Sequence, residues 1–216
     1  MDVLDELIEL GKRMVACQLV VGPGGNLSAR DGRFAYLSPS GFSLGEIARN
    51  DYVKIDTETG EVVKGHLKPT SETPLHLECY RRRSDVNAVV HAHPPIATGL
   101  VTGGAKIKAM TPDFVAYVGR VITLPYIVPA GRELAEAVGN AVSTCNAIMM
   151  VNHGAITVGS NLKEAFTKME VLEDSAKLEM AALIAGKPRF FTDQEVDTID
   201  NLSVEAYRRR LLKGEG

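Results

Sequence analysis

Two histidines stand two positions apart at the end of an apolar segment, Val86-Asn87-Ala88-Val89-Val90-His91-Ala92-His93. A segment so rich in valine and alanine favours a buried strand, in which side chains at positions i and i+2 share a face. His91 and His93 can therefore lean the same way and hold one metal ion, at about 2.0–2.1 Å from each nitrogen if that ion is zinc. The spacing predicts a metal site where this strand ends.

Two further candidate ligands lie elsewhere in the sequence. Glu72 directly precedes a predicted helix, and His153 occupies a predicted turn between two strands. Three imidazoles and one carboxylate suit zinc or a similar divalent ion. A carboxylate is the ligand that is most easily released, so Glu72 could also act as a general base while the metal polarises a substrate oxygen. His66 and His76 have no partner at ligand spacing, and we interpret them as solvated or packed residues.

Three short segments have the composition of an anion-binding site. Small residues expose backbone N–H groups, hydroxyls add donors, and the N-terminus of a helix favours negative charge. Each segment alone is more typical of an ordinary turn or helix cap than of an anion-binding site. The last pair adjoins Glu72, which would place a bound phosphate beside the metal. The candidate residues are Gly25, Asn26, Ser40, Gly41, Thr70 and Ser71.

Hydrophobic periodicity and turn residues predict the elements that must position these side chains. We expect helices at 3–19, 73–83, 131–142 and 162–185, a short helix starting at 111–113, and a last helix from 192 to the basic 208–210. Hairpins are expected at 26–30 with 33–38, around Asp31-Gly32, and at 52–56 with 61–64; further strands are expected at 86–93, 121–125, 147–151 and 155–158. Asn161 with Glu164 resembles a capping box, and Thr192 with Glu195 indicates the start of the last helix. Together these elements predict one α+β domain over residues 1–216 with a layered, largely antiparallel sheet.

Composition limits the partners that we expect. The chain has 216 residues, 45% of them hydrophobic, and a formal net charge of −3. This charge gives no electrostatic reason to expect nucleic acid or an anionic membrane as a partner. The acidic start does not resemble a secretory signal, and no apolar run approaches the roughly 20 residues that span a bilayer. Three scattered cysteines favour a reducing, cytoplasmic location without a cysteine metal site.

Five motifs occur in an ordered series, and together they resemble the class II aldolase and adducin-head family over nearly the whole chain. They are Gly25-Asn26-Leu27-Ser28-Ala29-Arg30, Leu37-Ser38-Pro39-Ser40-Gly41, Lys68-Pro69-Thr70-Ser71-Glu72, Val89-Val90-His91-Ala92-His93 and Asn152-His153-Gly154. The resemblance implies a three-layer α/β/α domain with a central, mostly antiparallel sheet of nine strands. It also implies a homotetramer with active sites at the subunit interfaces.

The same resemblance implies a chemistry. Zn²⁺, or another divalent metal such as Mn²⁺ or Co²⁺, would be bound by Glu72, His91, His93 and His153. The six residues of the anion-binding segments would hold the phosphate of a small sugar phosphate. The implied activity is that of a lyase, reversibly cleaving a ketose 1-phosphate such as L-fuculose 1-phosphate to dihydroxyacetone phosphate and an aldehyde. Glu72 would leave the metal and carry the proton.

One departure from the family pattern concerns the tyrosine that protonates the aldehyde-side oxygen across the interface. The aligned segment, Ala109-Met110-Thr111-Pro112-Asp113-Phe114, has none. Asp113, Tyr117 or Tyr207 could replace it, although each also fits an ordinary helix or packing position. Related activities on the same frame stay open: a sugar-acid phosphate decarboxylase, a methylthioribulose-phosphate dehydratase, and a pentulose-phosphate epimerase, which usually has aspartate at the position of Glu72. The intact ligand set disfavours a non-enzymatic, adducin-like binding domain.

Overall fold

The computed structural model describes residues 2–215 and contains one mixed sheet of eight strands. The strands are β1 (Asn26–Asp31), β2 (Phe34–Leu37), β3 (Val53–Asp56), β4 (Val62–Lys64), β5 (Ala88–Ala92), β6 (Val121–Leu124), β7 (Ala147–Met150) and β8 (Gly154–Gly159). Their order is β4-β3-β2-β1-β5-β8-β7-β6. Every neighbouring pair is antiparallel except β6 and β7, which run parallel.

The predicted count of nine strands is therefore wrong for the part of the chain that the structure describes. One further pairing, between Pro39 and Pro69, forms an isolated bridge outside the named strands. It does not extend into a ladder at Ser38, because the Ser38 N–H donates to the Leu27 carbonyl oxygen of β1 instead of returning a bond to Thr70. The prediction of a mostly antiparallel sheet is confirmed.

Helices cover both faces of the sheet. They are α1 (Val3–Ala16), α2 (Thr73–Arg82), α3 (Pro95–Thr102), α4 (Arg132–Val142), α5 (Leu162–Ala185), α6 (Asp193–Asp200) and α7 (Ser203–Lys213), with a 3₁₀ turn at Arg49–Asp51 and a π-helical turn at Phe114–Val118. Alternate side chains of each strand enter opposite cores. Val90 and Met149 pack with α1, α3 and α5, whereas Val89 and Ile148 pack with α2 and α4. The sheet thus lies between two helical layers.

Several predicted boundaries are wrong for local reasons. The first hairpin turns at Gly32-Arg33, one residue later than predicted, because Asp31 still pairs with Phe34. Helix α3 is missing from the sequence prediction, since Pro94-Pro95 resembles the end of a strand; Pro95 instead occupies the first turn, where proline is tolerated. The predicted last helix is divided into α6 and α7, and the helix expected from 111–113 is the π-helical turn. The N-terminal helix ends at Ala16 instead of 19.

The two predicted helix starts, at Asn161 and at Thr192, differ in their hydrogen bonds. Thr192 and Glu195 form the reciprocal pair of hydrogen bonds. Asn161 accepts a hydrogen bond from the Glu164 N–H, but the Glu164 carboxylate accepts from the backbone N–H of Ser160 instead of returning to Asn161. Within residues 2–215, no helix is both long enough and apolar enough to cross a membrane.

Candidate metal centre

The three histidines predicted as ligands lie close together at one end of the sheet. His91 is buried on β5, His93 follows the end of that strand, and His153 lies in the tight turn between β7 and β8. The ring centroid of His91 is 4.9 Å from those of both other histidines, and the centroids of His93 and His153 are 5.6 Å apart. One ligand atom from each residue lies within 4.8 Å of the others, so the group could hold a metal ion.

Strand pairing brings His153 to the other two across a long stretch of sequence. β5 and β8 are antiparallel neighbours in which Ala92 pairs with Ala155, so the turn before β8 faces the end of β5. Asn152 takes a left-handed conformation with φ of 58°, which asparagine tolerates better than most residues. Gly154 has no side chain, and a Cβ there would overlap the Ala92 carbonyl oxygen. This close backbone approach holds His153 beside β5.

Glu72, the N-cap residue of α2, lies beside the three histidines. Its side chain is buried, and its Oε2 lies 3.1 Å from Nε2 of His91. Its Oε1 lies 3.4 Å from Nε2 of His153. Burial alone would raise the pKa of Glu72, but the facing His91 imidazole and the amide of Asn26 outweigh it and leave that pKa below its usual value. The structure therefore brings all four predicted ligands together.

The donor set fits a cation. Nδ1 of His91 lies 2.9 Å from the Ala155 carbonyl oxygen and must donate its hydrogen there, so Nε2 of a neutral His91 carries a lone pair. That lone pair faces Glu72 Oε2 and, at 3.1 Å, Nε2 of His93. Burial lowers the pKa of His91 to about 4, so a charged imidazole does not relieve this crowding of acceptors at neutral pH. Orientation of one ring nitrogen by a backbone carbonyl is typical of metal-bound histidine.

Two further atoms in the site are buried without partners among the described residues: Oε1 of Glu72 and Nδ1 of His153. A divalent ion between the imidazoles would satisfy the carboxylate oxygen, and burial also lowers the pKa of His93, keeping that ligand neutral. The four residues thus fit a divalent metal ion. Histidine and carboxylate ligands are those of catalytic zinc sites, in which one position stays open for substrate.

The predicted anion-binding segments converge next to Glu72. The Ser40 N–H donates to the Lys68 carbonyl oxygen, and the Thr70 N–H donates to that of Ser38, both at 3.0 Å. Ser38 in turn bonds Leu27 of β1 in both directions. Ser40, Gly41 and Ser71 are exposed, Thr70 is buried with its Oγ1 accepting from the Glu72 N–H, and Gly25 has a φ of 71°. The role of these residues in phosphate binding stays a prediction.

Asn26 differs from the other members of the predicted phosphate site. Its side chain is buried, and its Nδ2 donates to Oε2 of Glu72 at 2.8 Å. Its Oδ1 lies 2.5 Å from Nε2 of His76. In this structure the Asn26 amide therefore contacts the Glu72 carboxylate, a candidate metal ligand, directly, and the sequence interpretation missed this contact.

The two histidines outside the ligand group are solvated or packed, as predicted, but His76 also hydrogen-bonds Asn26, which contacts Glu72. His66 is exposed, 3.6 Å from the Asp51 carboxylate. His76 is fully buried and hydrogen-bonded to Asn26 and Ser28. A sequence signal exists for this connection, since Glu72, His76 and Tyr80 recur at helical spacing while Asn26, Ser28 and Arg30 alternate along a strand.

The three candidates for the missing family tyrosine lie on or beside α7. Asp113 accepts a hydrogen bond from Arg208 at 2.6 Å. The guanidinium carbon of Arg208 lies 5.0 Å from the centre of the Tyr117 ring. Tyr207 is about half exposed. Within this chain, the side chains of Asp113 and Tyr117 contact α7, so a role for them in the reaction stays a prediction.

Comparison with known proteins identifies the family. The family model of the class II aldolase and adducin N-terminal domain matches residues 5–180. An L-fuculose phosphate aldolase from Methanococcus maripaludis is 37% identical over 175 residues, covering 81% of this chain and 94% of that protein. A 3-oxo-tetronate 4-phosphate decarboxylase from Haemophilus influenzae is 33% identical over 201 residues, covering 90% and 94%. A solved structure of an L-fuculose 1-phosphate aldolase matches with a TM-score of 0.87 and 32% identity, covering 96% of each chain. This chain belongs to the class II aldolase and adducin family.

Proposed function

We propose that this protein is a zinc-dependent aldolase that reversibly cleaves a ketose 1-phosphate, such as L-fuculose 1-phosphate, to dihydroxyacetone phosphate and an aldehyde. One observation carries the proposal: the buried Glu72 carboxylate contacts two members of the three-histidine group, His91 at 3.1 Å and His153 at 3.4 Å. A carboxylate placed there can both complete a metal site and exchange a proton once substrate displaces it. The L-fuculose phosphate aldolase of Methanococcus maripaludis supports the choice of reaction.

His91, His93, His153 and Glu72 would hold the ion, which, when bound, polarises the carbonyl and hydroxyl oxygens of the substrate. Cleavage breaks the bond between C3 and C4 of the ketose. The C4 hydroxyl loses its proton to the aldehyde-side residue, for which Asp113, Tyr117 and Tyr207 are the candidates; the bonding electron pair stays on C3, and C3 then receives a proton. We assign that delivery to Glu72, whose Oε1 is buried without a partner among the described residues.

The phosphate would be held beside Glu72 by the six residues of the anion-binding segments, of which Asn26 also donates to the Glu72 carboxylate. They are Gly25, Asn26, Ser40, Gly41, Thr70 and Ser71. Backbone N–H groups and hydroxyls at the N-terminus of α2 favour an anion at this place. This arrangement would fix C1 of the substrate and leave C2, C3 and C4 near the carboxylate.

The test combines metal analysis with a substrate screen. Purified protein is expected to contain bound divalent metal and to release dihydroxyacetone phosphate from L-fuculose 1-phosphate in a panel of ketose 1-phosphates. Glu72→Gln keeps the size of the side chain but cannot carry the proton, so turnover should fall by about 10²–10⁴-fold while metal is retained. His66→Gln, at an exposed site 3.6 Å from Asp51, is the matched control and should turn over normally.

Two results would contradict the aldolase proposal. The first is protein that binds no divalent metal. The second is a complete lack of dihydroxyacetone phosphate release together with decarboxylation of 3-oxo-tetronate 4-phosphate. Decarboxylation is the second candidate function, favoured by the Haemophilus influenzae relative and by the lack of tyrosine at 109–114. Unchanged turnover in Glu72→Gln would remove that residue from the mechanism.

We also propose that the protein is a cytoplasmic homotetramer with active sites at the subunit interfaces. In that assembly, Asp113, Tyr117 or Tyr207 of a neighbouring subunit would protonate the aldehyde-side oxygen. This part of the proposal rests on the family pattern, in which that acid comes from another subunit. Zinc is our choice of metal because histidine nitrogens and a carboxylate suit it, and Mn²⁺ or Co²⁺ would support the same chemistry.

A further inference from the structure

A row of polar side chains on β1 meets a row of polar side chains on α2 behind the metal centre. On a strand, every second residue lies on the same face, about 6.6 Å apart. On a helix, every fourth residue lies on nearly the same face, about 6.0 Å apart. These two spacings nearly match, so three alternate strand residues can align with three helix residues. The strand residues are Asn26, Ser28 and Arg30, and those at the start of and along the helix are Glu72, His76 and Tyr80.

The aligned rows form one continuous chain of hydrogen bonds. Asn26 bridges Glu72 and His76, at 2.8 Å and 2.5 Å. Ser28 bridges His76 and Tyr80, with its Oγ 2.7 Å from Nδ1 of His76 and 2.5 Å from the Tyr80 hydroxyl. Arg30, the last strand residue of the row, donates to the backbone carbonyl oxygen of Tyr80. Glu72, Asn26, His76, Ser28 and Tyr80 are all buried, so water does not compete for these bonds.

The direction of every hydrogen bond in this chain is determined by its end at Glu72. The Asn26 amide nitrogen faces an ionised carboxylate, so the Asn26 oxygen faces His76, and Nε2 of His76 must carry the hydrogen. Burial keeps His76 neutral, with its pKa lowered to about 3, and Nδ1 is therefore an acceptor. Ser28 donates to Nδ1 and accepts from Tyr80. All the donors point toward Glu72, an arrangement in which neighbouring bonds polarise one another.

We propose that His76 is a positioning residue of the active site: through Asn26 it holds Oε2 of Glu72 beside His91, and this fixes Oε1, which has no hydrogen-bond partner among the described residues, beside His153. Without the Nε2–H of His76, the Asn26 amide could rotate and present its oxygen to Glu72, which would repel the carboxylate. The inference deepens the proposed function, because it rests on Glu72 being a metal ligand and proton carrier. Nothing in it requires His76 to touch the substrate.

The test compares two substitutions of similar side-chain size, one without and one with a side-chain N–H that can donate to Asn26. His76→Leu removes both nitrogens, whereas His76→Gln retains a side-chain N–H that can donate to Asn26. Metal affinity is measured on metal-free protein by competition with a chelator, a readout that needs no turnover. Since loss of a partner behind a metal ligand typically costs 10–100-fold in affinity or activity, we expect about that loss of affinity for Zn²⁺ in His76→Leu. His76→Gln should recover most of it.

Kinetics supply the second readout. In His76→Leu we expect kcat for ketose 1-phosphate cleavage to fall at least tenfold with KM nearly unchanged, since the phosphate contacts remain. His66→Leu, at an exposed site, is the control and should match the wild type in affinity and kcat. Wild-type metal affinity and kcat in His76→Leu would overturn the proposal, as would equal losses in His76→Gln and His76→Leu.

A third measurement needs only the wild-type protein, so it tests the inference even if His76→Leu does not fold. It needs no turnover, so its result does not depend on the aldolase proposal. Nitrogen-15 NMR of the wild-type imidazoles should show His76 neutral, with hydrogen on Nε2 and none on Nδ1, from pH 5 to 9. The opposite tautomer, or a charged ring in this range, would overturn the proposed positioning role of His76. Loss of metal affinity in His76→Leu with recovery in His76→Gln would support it, even if the substrate screen overturned the aldolase assignment.

Discussion

At the level of single residues, the candidate metal centre depends on backbone positions that leave room for imidazoles. Gly154 follows His153 and opens β8, where the chain passes directly against β5. A Cβ at this position would overlap the Ala92 carbonyl oxygen and lie 2.8 Å from Cδ2 of His93. Its φ is not in the left-handed region, so glycine is required here for space and not for conformation. The absence of a side chain at Gly154 therefore lets the turn that carries His153 pack directly against the end of β5, next to His93.

Gly154→Ala should therefore damage the fold and the metal site together. Overpacking of a tight contact typically costs about 1–3 kcal/mol of stability, and the displaced His93 should weaken metal binding as well. Gly99→Ala is the matched control, because Gly99 lies within α3 and a Cβ added to it would meet no other atom within 4 Å. That change should stabilise the protein by up to about 1 kcal/mol through helix propensity. Urea denaturation and zinc titration of both variants would check this; equal behaviour of the two would contradict it.

At the level of elements, the helix that follows the histidine pair begins without a capping side chain of its own. Its N-cap residue is Pro94, which makes no side-chain hydrogen bond. Glu173 of α5 takes over this function from across the core: its carboxylate accepts from the Ile96 N–H at 3.1 Å and from the Ala97 N–H at 2.9 Å. Glu173 is buried, so these N–H groups depend on it for a partner.

Removing this carboxylate should destabilise the protein markedly. In Glu173→Ala, each buried N–H left without a partner costs about 1–3 kcal/mol. Glu173→Gln retains one acceptor oxygen and should lose less. Glu170→Ala, on the same helix, removes a partly exposed ion pair with Arg13, which is worth about 0–1 kcal/mol, and a 3.7 Å contact with the exposed Cys17 thiol. The free energies of unfolding from denaturant titration should rank in this order, and a Glu173→Ala variant as stable as Glu170→Ala would contradict the capping role.

The difference between local sequence patterns and contacts between distant segments explains which elements could be predicted from the sequence. Periodicity located α1 and α5 because each presents a regular apolar face, Thr73-Pro74 located the start of α2, and an apolar run located β5, which contains His91 and ends just before His93. Helix α3 could not be predicted because its cap comes from Glu173, 76 residues or more away in the chain. The Asn26–His76 contact was equally hidden, since it depends on how β1 is aligned with α2. Local patterns specify elements, whereas contacts between distant segments appear only in the folded chain.

At the level of the whole molecule, the candidate metal site joins three segments that are far apart in sequence. Glu72 lies at the start of α2, His91 and His93 at the end of β5, and His153 in the turn before β8. Strand pairing and helix packing bring these segments together at one end of the sheet. The unfolded chain offers no such cluster, so an ion bound at this place binds the native state in preference to the unfolded state.

Metal should therefore raise the thermal stability of the protein. At free Zn²⁺ of about 100 times the dissociation constant, binding to the native state alone contributes about 2.7 kcal/mol. For a domain of this size, each kcal/mol shifts Tm by about 2–4 °C, so the increase should be about 5–10 °C. His153→Ala removes one ligand and should lose most of the increase, whereas His66→Ala, at an exposed side chain beside Asp51, should keep all of it. Calorimetry at one fixed protein concentration separates this effect from subunit association; an equal metal-induced increase in His153→Ala would show that the ion binds elsewhere.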